Sequence, residues 1–474
     1  IPSVDEIRAQ ALSVFQKRPC LWQINICRAV LAGDQDIIAI AGTGAGKTLS
    51  FWLPLLCRPT GIQIVVTPLN ILGQQNIDTL SKAGVNGIFI SAKTSTRRNF
   101  EDIANFKYRV IVVNPEELMR PGGGFESLFK KKCFADQVIS IIIDEAHCIS
   151  QWGSFRPEYR HIGSLRHLQR KPCTMMVTSA TLTSQAISDI KTVLNLREDG
   201  LFFSQSSIDR PNINLVVRPM LNPRKSFIDL GFLLRNWTPD NPPPPKFLVF
   251  FDSIPESIEA GLYLRTLLLP EYRDRVKWFN SEMSDRFKVQ ETLKLANNEI
   301  WGLMATDSFG MGMDLPDVMT IVQWGATCSI STLWQRFGRC VRDPKLEGTA
   351  ILFTERDNID SERQKKVVRA EKRRAKATLR KKAAKQQRTD DSLDMIKVEE
   401  RDDVNDELSG DEEKDREEKG KEAEKEKERR PKKSSNKSKR TLDPVVDKVI
   451  NAEYQGYTCR RIPIMTAFKN NEAG

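Results

Sequence analysis

"DIIAIAGTGAGKTLSFWLPLL" (Asp36–Leu56) is a short β-rich run, a loop of small residues and a stretch with helical spacing, in that order. Small residues between a strand and a helix let successive backbone N–H groups curl around phosphates. The segment "AGTGAGKT" (Ala41–Thr48) matches a phosphate loop with Ala in place of the first Gly. In that pattern Lys47 reaches the outer phosphates of a nucleotide and the Thr48 hydroxyl binds Mg²⁺. Thr43, Gly44, Ala45, Gly46, Lys47 and Thr48 are therefore candidate nucleotide-binding residues. A chance glycine-rich turn would not need strand, loop and helix in this order.

The same alternation runs outward from this loop. "IQIVVTP" (Ile62–Pro68), "GIFIS" (Gly87–Ser91), "RVIVVNPEEL" (Arg109–Leu118), "VISIIIDEAH" (Val138–His147) and "TMMVTSAT" (Thr174–Thr181) are further apolar runs, each followed by a stretch with helical spacing. Continuous apolar strands alternating with helices predict a parallel sheet covered on both faces. "NPPPP" (Asn241–Pro245) reads as a stiff linker. A second α/β unit follows, with strands predicted at 246–253, 275–280, 300–307, 318–325 and 348–354, and "SIDRPNINLVVRP" (Ser207–Pro219) leads into it. The expected organisation is two tandem parallel-sheet α/β domains, 1–205 and 206–356, then a charged region, 357–440, and a short folded element, 441–474.

"IIIDEAH" (Ile141–His147) supplies a partner for the phosphate loop. Asp144 at the end of a strand suits Mg²⁺, and Glu145 suits the orientation and deprotonation of an attacking water. A buried acidic pair with no metal or cation would be costly. The loop that follows carries Trp152, Phe155 and Arg156, residue types that stack on unpaired bases and hold phosphates. The two aromatics could instead be core anchors.

The chain has 474 residues, 40% of them hydrophobic and 28% charged, with a formal net charge of +11. This is enough for two or three domains, and the balance favours a polyanionic partner. Nine scattered cysteines form no CxxC pair, so no complete zinc site is written in the sequence, and the pattern suits a reducing compartment. No apolar run approaches the roughly 18 residues of a membrane span, so no membrane partner is expected. The first residue is Ile and no signal peptide is visible, as expected of a fragment of a longer chain. Charge comes in blocks of about +10 over 361–390, −9 over 391–420 and +6 over 421–440. The first block could be helical but lacks a clear apolar stripe, and the later ones are expected to be disordered. "KRRAKATLRKKAAKQQR" (Lys372–Arg388) and "RRPKKSSNKSKR" (Arg429–Arg440) suit a solvated face, nuclear import or backbone contact.

Several ordered motifs resemble the RecQ family of superfamily 2 DNA helicases. "KRPCLWQ" (Lys17–Gln23) is similar to the adenine-reading segment, which implies that Gln23 pairs with the base edge. "VVTPLNILGQQ" (Val65–Gln75) and "VNPEEL" (Val113–Leu118) resemble strand-binding motifs, and "TSAT" (Thr178–Thr181) the motif linking hydrolysis to domain movement. "ATDSFGMGMD" (Ala305–Asp314) and "QRFGRCVRD" (Gln335–Asp343) resemble the two late motifs. The resemblance implies two RecA-like domains with a cleft between them. It assigns Gln335, Arg339 and Arg342 to catalysis, Gly312 and Asp314 to the nucleotide, and Thr67, Pro68 and Thr306, with Trp152, Phe155 and Arg156, to the nucleic-acid strand. ATP and Mg²⁺ are the implied cofactors, single-stranded DNA and forked duplex the implied partners, 3′-to-5′ unwinding in recombination or repair the implied activity, and the nucleus the implied location. In "CISQWGSFRPEY" one residue, Ser154, separates the Gly from the Phe where the family usually has two, so the loop's reach differs. "FFDS" (Phe250–Ser253) lacks the polar signature of the motif at its place. "CRRIPIMTAFKN" (Cys459–Asn470) resembles the opening of the family's zinc subdomain, with Cys459 the first ligand of a site that residues beyond Gly474 would complete. The segment from Leu442 is then expected to be poorly ordered without zinc. A DEAD-box-type RNA helicase and a regulatory or chromatin-binding protein that unwinds nothing are the competing readings.

Overall fold

The computed structural model describes residues 1–68, 70–152, 158–168, 171, 173–234, 237–309, 315–398 and 442–469. Two all-parallel sheets form the body. The first contains β1 (Asp36–Ile40), β2 (Ile62–Val66), β3 (Gly87–Ile90), β4 (Val110–Val113), β5 (Val138–Ile143), β6 (Thr174–Ser179) and β7 (Leu201–Gln205), in the order β3-β4-β2-β5-β6-β1-β7. The second contains β8 (Ile213–Pro219), β9 (Phe247–Phe250), β10 (Val276–Phe279), β11 (Gly302–Ala305), β12 (Thr320–Trp324) and β13 (Gly348–Thr354), in the order β10-β11-β9-β12-β13-β8. The mixed α/β architecture predicted from the apolar strand runs is present.

Central strands are buried on both faces, which is why they read as unbroken apolar runs. Ile38, Ile40, Ile64, Val66, Ile141, Ile143 and Val177 join one large core, while Ile37, Ala39, Val65, Ile142 and Met176 face the other side of the same sheet. Each fully buried aliphatic side chain contributes roughly 1.5–3 kcal/mol. β7 was not legible as a strand. Among the described residues it pairs only with β1, and the side chain of Phe203 at its middle is exposed, so the alternation and burial that mark a central strand are missing.

One polar residue sits at the start of this apolar sheet. Asp36 is fully buried, and its two oxygens take Arg166 Nη2 at 2.6 Å, Arg197 Nη2 at 3.0 Å, and the backbone N–H groups of Met175 at 3.0 Å and Arg197 at 2.7 Å. It ties β1 to β6 and to the segment leading into β7, at the sheet end opposite the phosphate loop. Asp36→Ala would strand two guanidinium groups that are largely buried, so it is expected to lower the unfolding free energy by about 3–5 kcal/mol. Chemical denaturation measures this; a change under about 1 kcal/mol would mean that the cluster is solvated.

The proline run is not the junction between the sheets. β8 already pairs with β13 before the chain reaches Asn241–Pro245, so "NPPPP" is a connection inside the second layer. The Trp237 indole donates to Pro242 O at 3.1 Å, and Trp237, Tyr272 and Trp301 pack together with centroids 4.6–6.0 Å apart.

The C-terminal element also differs from expectation. Helices Pro444–Ile450 and Arg461–Ala467 put Val446, Val449, Ile450, Ile464 and Phe468 into the main core. Asp443 caps the first helix and accepts from Ile330 N at 3.1 Å, Arg461 pairs with Asp209, and Gln205 donates to Phe468 O at 3.0 Å. Apolar burial and these bonds seat the segment on the main core. Ile1–Ile359 and Leu442–Gly474 form one compact unit, and Asp360–Thr441 a second. Within the second, Asp360–Val398 is a single helix, whose end takes in residues 391–398 of the acidic block expected to be disordered; the rest of that block and the last one lie outside the described residues. No described helix is long and apolar enough to cross a membrane.

Candidate active site

The loops that leave the C-terminal ends of β1, β5 and β6 meet at one edge of the first sheet, where open parallel sheets bind ligands. The phosphate loop uses glycine where it must: Gly44 has φ +86° and Gly46 φ +78°, and no atom lies within 4 Å of where a Cβ on Gly44 would stand. Lys47 opens the helix Lys47–Cys57, and its Nζ donates back to Ala41 O at 2.8 Å. Gln23 is buried, accepts from Cys20 N at 2.7 Å and donates to Gly46 O at 2.8 Å. Its amide thus braces the loop.

Asp144 and Glu145 follow β5. Asp144 Oδ1 accepts from the Thr178 hydroxyl at 2.9 Å and from Glu145 N at 3.0 Å. Burial, with repulsion from Glu145, raises its carboxyl to about 6. Glu145 adopts φ +51°, a left-handed conformation rare outside glycine, stored where the carboxylate must turn into the cleft. Burial works against its charge, but His147, Lys47 and Arg339 overcome burial and hold it down at about 2. Its Oε2 lies 3.3 Å from His147 Nδ1.

A line of polar contacts leaves this carboxylate and crosses to the second sheet. His147 Nδ1 is 3.2 Å from Ser179 Oγ, which accepts from Thr181 N at 3.2 Å, and Gln335 Nε2 donates to Thr181 Oγ1 at 3.0 Å. Gly338 approaches the phosphate loop closely enough that an added Cβ would lie 3.4 Å from Thr43 Oγ1. The Lys47 pKa is lowered chiefly by burial, with Glu145 and Asp144 opposing and Arg339 and Arg342 adding to the fall. Burial and repulsion from Arg342 bring Arg339 down to about 9. Two guanidiniums, one ammonium and two carboxylates from both sheets therefore share one cleft, an arrangement that an anion with a divalent cation would neutralise.

The mutual repulsion of the adjoining Asp144 and Glu145 carboxylates fits a divalent cation beside them. Zinc does not find such support: no group of three His, Cys, Asp or Glu able to hold a metal occurs among the described residues, and Cys459 is exposed.

Other expected site residues divide. Thr306 is half-buried, with its hydroxyl 3.1 Å from Ser308 Oγ. Thr67 and Pro68 are buried, and the Thr67 hydroxyl makes no hydrogen bond, so neither side chain offers a surface to a strand as expected. Both follow directly on β2, whose five residues are all buried. Trp152 ends the helix His147–Trp152; its side chain, and Phe155, Arg156, Gly312 and Asp314 altogether, lie outside the described residues.

Sequence reasoning missed three supports. Arg336 is buried and holds Asp307 at 2.6 Å and Asp252 at 2.7 Å, which explains the acid in "FFDS". His147 was legible only as the end of the acidic motif. Arg210 donates to Gly338 O at 3.2 Å, Cys340 O at 3.1 Å and Val341 O at 2.6 Å, and Asn212 to Val341 O at 3.1 Å and Leu346 O at 3.0 Å. The chain between the sheets thus clamps the segment that bears Arg339 and Arg342. "DRPN" (Asp209–Asn212), a polar cluster opening an apolar strand, was the signal available.

Comparison with known proteins is consistent with this geometry. Residues 21–190 match the DEAD/DEAH box helicase family and residues 231–344 the helicase conserved C-terminal domain. The chain is 27% identical to ATP-dependent DNA helicase Q1 of Pongo abelii over 70% of its own length and 50% of that protein's. It is 28% identical to ATP-dependent DNA helicase RecQ of Bacillus subtilis (strain 168), over 71% and 54%. It thus spans about half the length of the curated relatives it matches. Among solved structures it is similar to DUF1998 helicase MrfA bound to DNA and AMPPNP (TM-score 0.60, 16% identity, 76% of this chain and 52% of that one). It is similar also to Mss116p bound to ssRNA and AMP-PNP (TM-score 0.59, 19% identity, 75% and 73%).

Proposed function

We propose that this chain, which carries the two RecA-like domains of a RecQ-like superfamily 2 helicase, couples ATP hydrolysis to 3′-to-5′ movement on single-stranded DNA and to the unwinding of forked duplex. The observation that carries the reading is the hydrogen bond from Gln335 to Thr181. It places the second sheet in the same polar line as Glu145, so a change at the water-activating carboxylate is felt by the other domain. The RecQ and Q1 relatives, named as DNA helicases, favour DNA over RNA.

In this reading Lys47 holds the outer phosphates and the loop N–H groups cradle the rest. Thr48 and Asp144 hold Mg²⁺, which supplies charge neutralisation on the phosphates. Glu145 orients the attacking water and accepts its proton. Arg339 and Arg342 meet the charge that develops on the transferred phosphoryl group. Trp152, Phe155 and Arg156 grip the strand a few residues after Glu145, with Thr306 across the cleft. A role in recombination or repair, a nuclear location and zinc held through Cys459 in a longer protein belong to the same proposal.

Arg210 touches no reacting atom in this scheme and acts as a positioning residue. Displacement of a catalytic group by about 1 Å can cost roughly 10²-fold. Arg210→Ala is therefore expected to lower kcat by roughly 10–100-fold with the melting temperature and nucleotide affinity nearly kept. Equal losses in stability and turnover would make it a structural residue only.

The test of the function is unwinding of a forked duplex with ATP and with a non-hydrolysable analogue, using 3′- and 5′-tailed substrates. Unwinding with ATP alone and from the 3′ tail is expected. Hydrolysis without any unwinding would favour the regulatory reading.

A further inference from the structure

We propose that the helix Asp360–Val398 is a second nucleic-acid contact, one that grips the phosphate backbone without reading bases and without ATP. Between Arg363 and Arg388 it carries thirteen Lys and Arg against one Glu, Glu371. At 1.5 Å per residue those 26 positions extend about 39 Å, roughly one positive charge every 3 Å. Each strand of duplex DNA presents one negative charge per about 3.4 Å, a spacing close to that of the helix.

Its described side chains present charge in place of a continuous apolar surface. Every side chain from Gln364 to Arg380 is exposed, and its apolar residues there, Val367, Val368 and Leu379, are all exposed. A helix that docks in a protein groove or lies on a membrane needs an apolar stripe. This one has none. Its charges also oppose its own fold: Lys365 and Arg369, Arg369 and Arg373, Lys372 and Lys376, and Lys376 and Arg380 stand four residues apart. Like charges at that spacing destabilise a helix. The ion pairs Arg363–Asp360 at 2.8 Å and Lys365–Glu362 at 2.7 Å relieve only its first turns. A polyanion along the remainder would remove the repulsion and release its own counterions.

The proposal does not rest on the ATPase reading. The test changes Lys372, Arg373, Arg374, Lys376 and Arg380 to Gln in the full chain, since Gln keeps helix propensity while losing charge. Affinity for a random-sequence duplex is measured without nucleotide between 50 and 200 mM salt, where binding to the phosphate backbone is most salt-sensitive. The log–log slope is expected to fall in magnitude by about 0.9 for each phosphate left without its cation, so by about 4.5 if all five side chains engage. Affinity should weaken at least about tenfold at low salt, with basal ATPase and melting temperature unchanged. Lys-to-Arg and Arg-to-Lys exchanges at the same five positions should keep the slope. An unchanged slope overturns the proposal, as does weaker binding with the slope intact. Loss of binding to anionic-lipid vesicles with duplex affinity retained would overturn it as well.

Discussion

Glu145→Gln is expected to keep nucleotide binding and to cut ATP turnover by roughly 10²–10⁴-fold, the range that general-base removal produces. The amide has the size of the carboxyl and can still orient a water, but it cannot take the proton as the new P–O bond forms. Binding should survive because the phosphates are held from the other side, by Lys47 and the N–H groups after β1. The low pKa of Glu145, about 2, leaves it ionised at any working pH. Its loss also removes the negative partner of His147 at 3.3 Å, which leads through Ser179 and Thr181 to Gln335. The variant should therefore bind ATP and remain locked. Equilibrium nucleotide binding beside single-turnover hydrolysis checks both halves, and near-normal turnover would remove Glu145 from its role.

Arg342→Ala is expected to lower kcat by roughly 10³-fold or more, as removal of an arginine finger does. The physical ground is the crowding of positive charge. Arg339 is held down to about 9 by burial and then by Arg342, and both arginines lower the pKa of Lys47. Three cations at one place are relieved only when an anion of high charge density enters, most of all in the transition state. Nucleotide affinity should change much less than turnover, and Arg342→Lys should not restore the rate, because a point charge cannot reproduce the planar fork. An equal loss in affinity and turnover would make Arg342 a ground-state contact.

What the sequence disclosed depended on how local each signal was. The strand, loop and helix from Asp36 to Cys57 are contiguous, and burial on both faces writes itself as an unbroken apolar run. β7 escaped because an edge strand with an exposed Phe203 carries neither signature. The clamp of Arg210 on Gly338 spans 128 positions in the chain, and the Gln335–Thr181 bond spans 154, so neither leaves a local pattern. Thr67 and Pro68 show the converse limit. Resemblance placed them on a strand-binding motif, but burial at the end of β2 is a tertiary property that no local pattern announces. The helix Asp360–Val398 lacks an apolar stripe, so periodicity could not announce it, and its residues are helix formers of high propensity instead.

The central claim, that both sheets form one nucleic-acid-driven ATPase, is tested most directly by steady-state ATP hydrolysis with no nucleic acid, with single-stranded DNA and with RNA of the same length. A low basal rate raised strongly by DNA and weakly by RNA is predicted. A rate unaffected by either polymer would contradict the account, and a response to RNA alone would contradict its substrate.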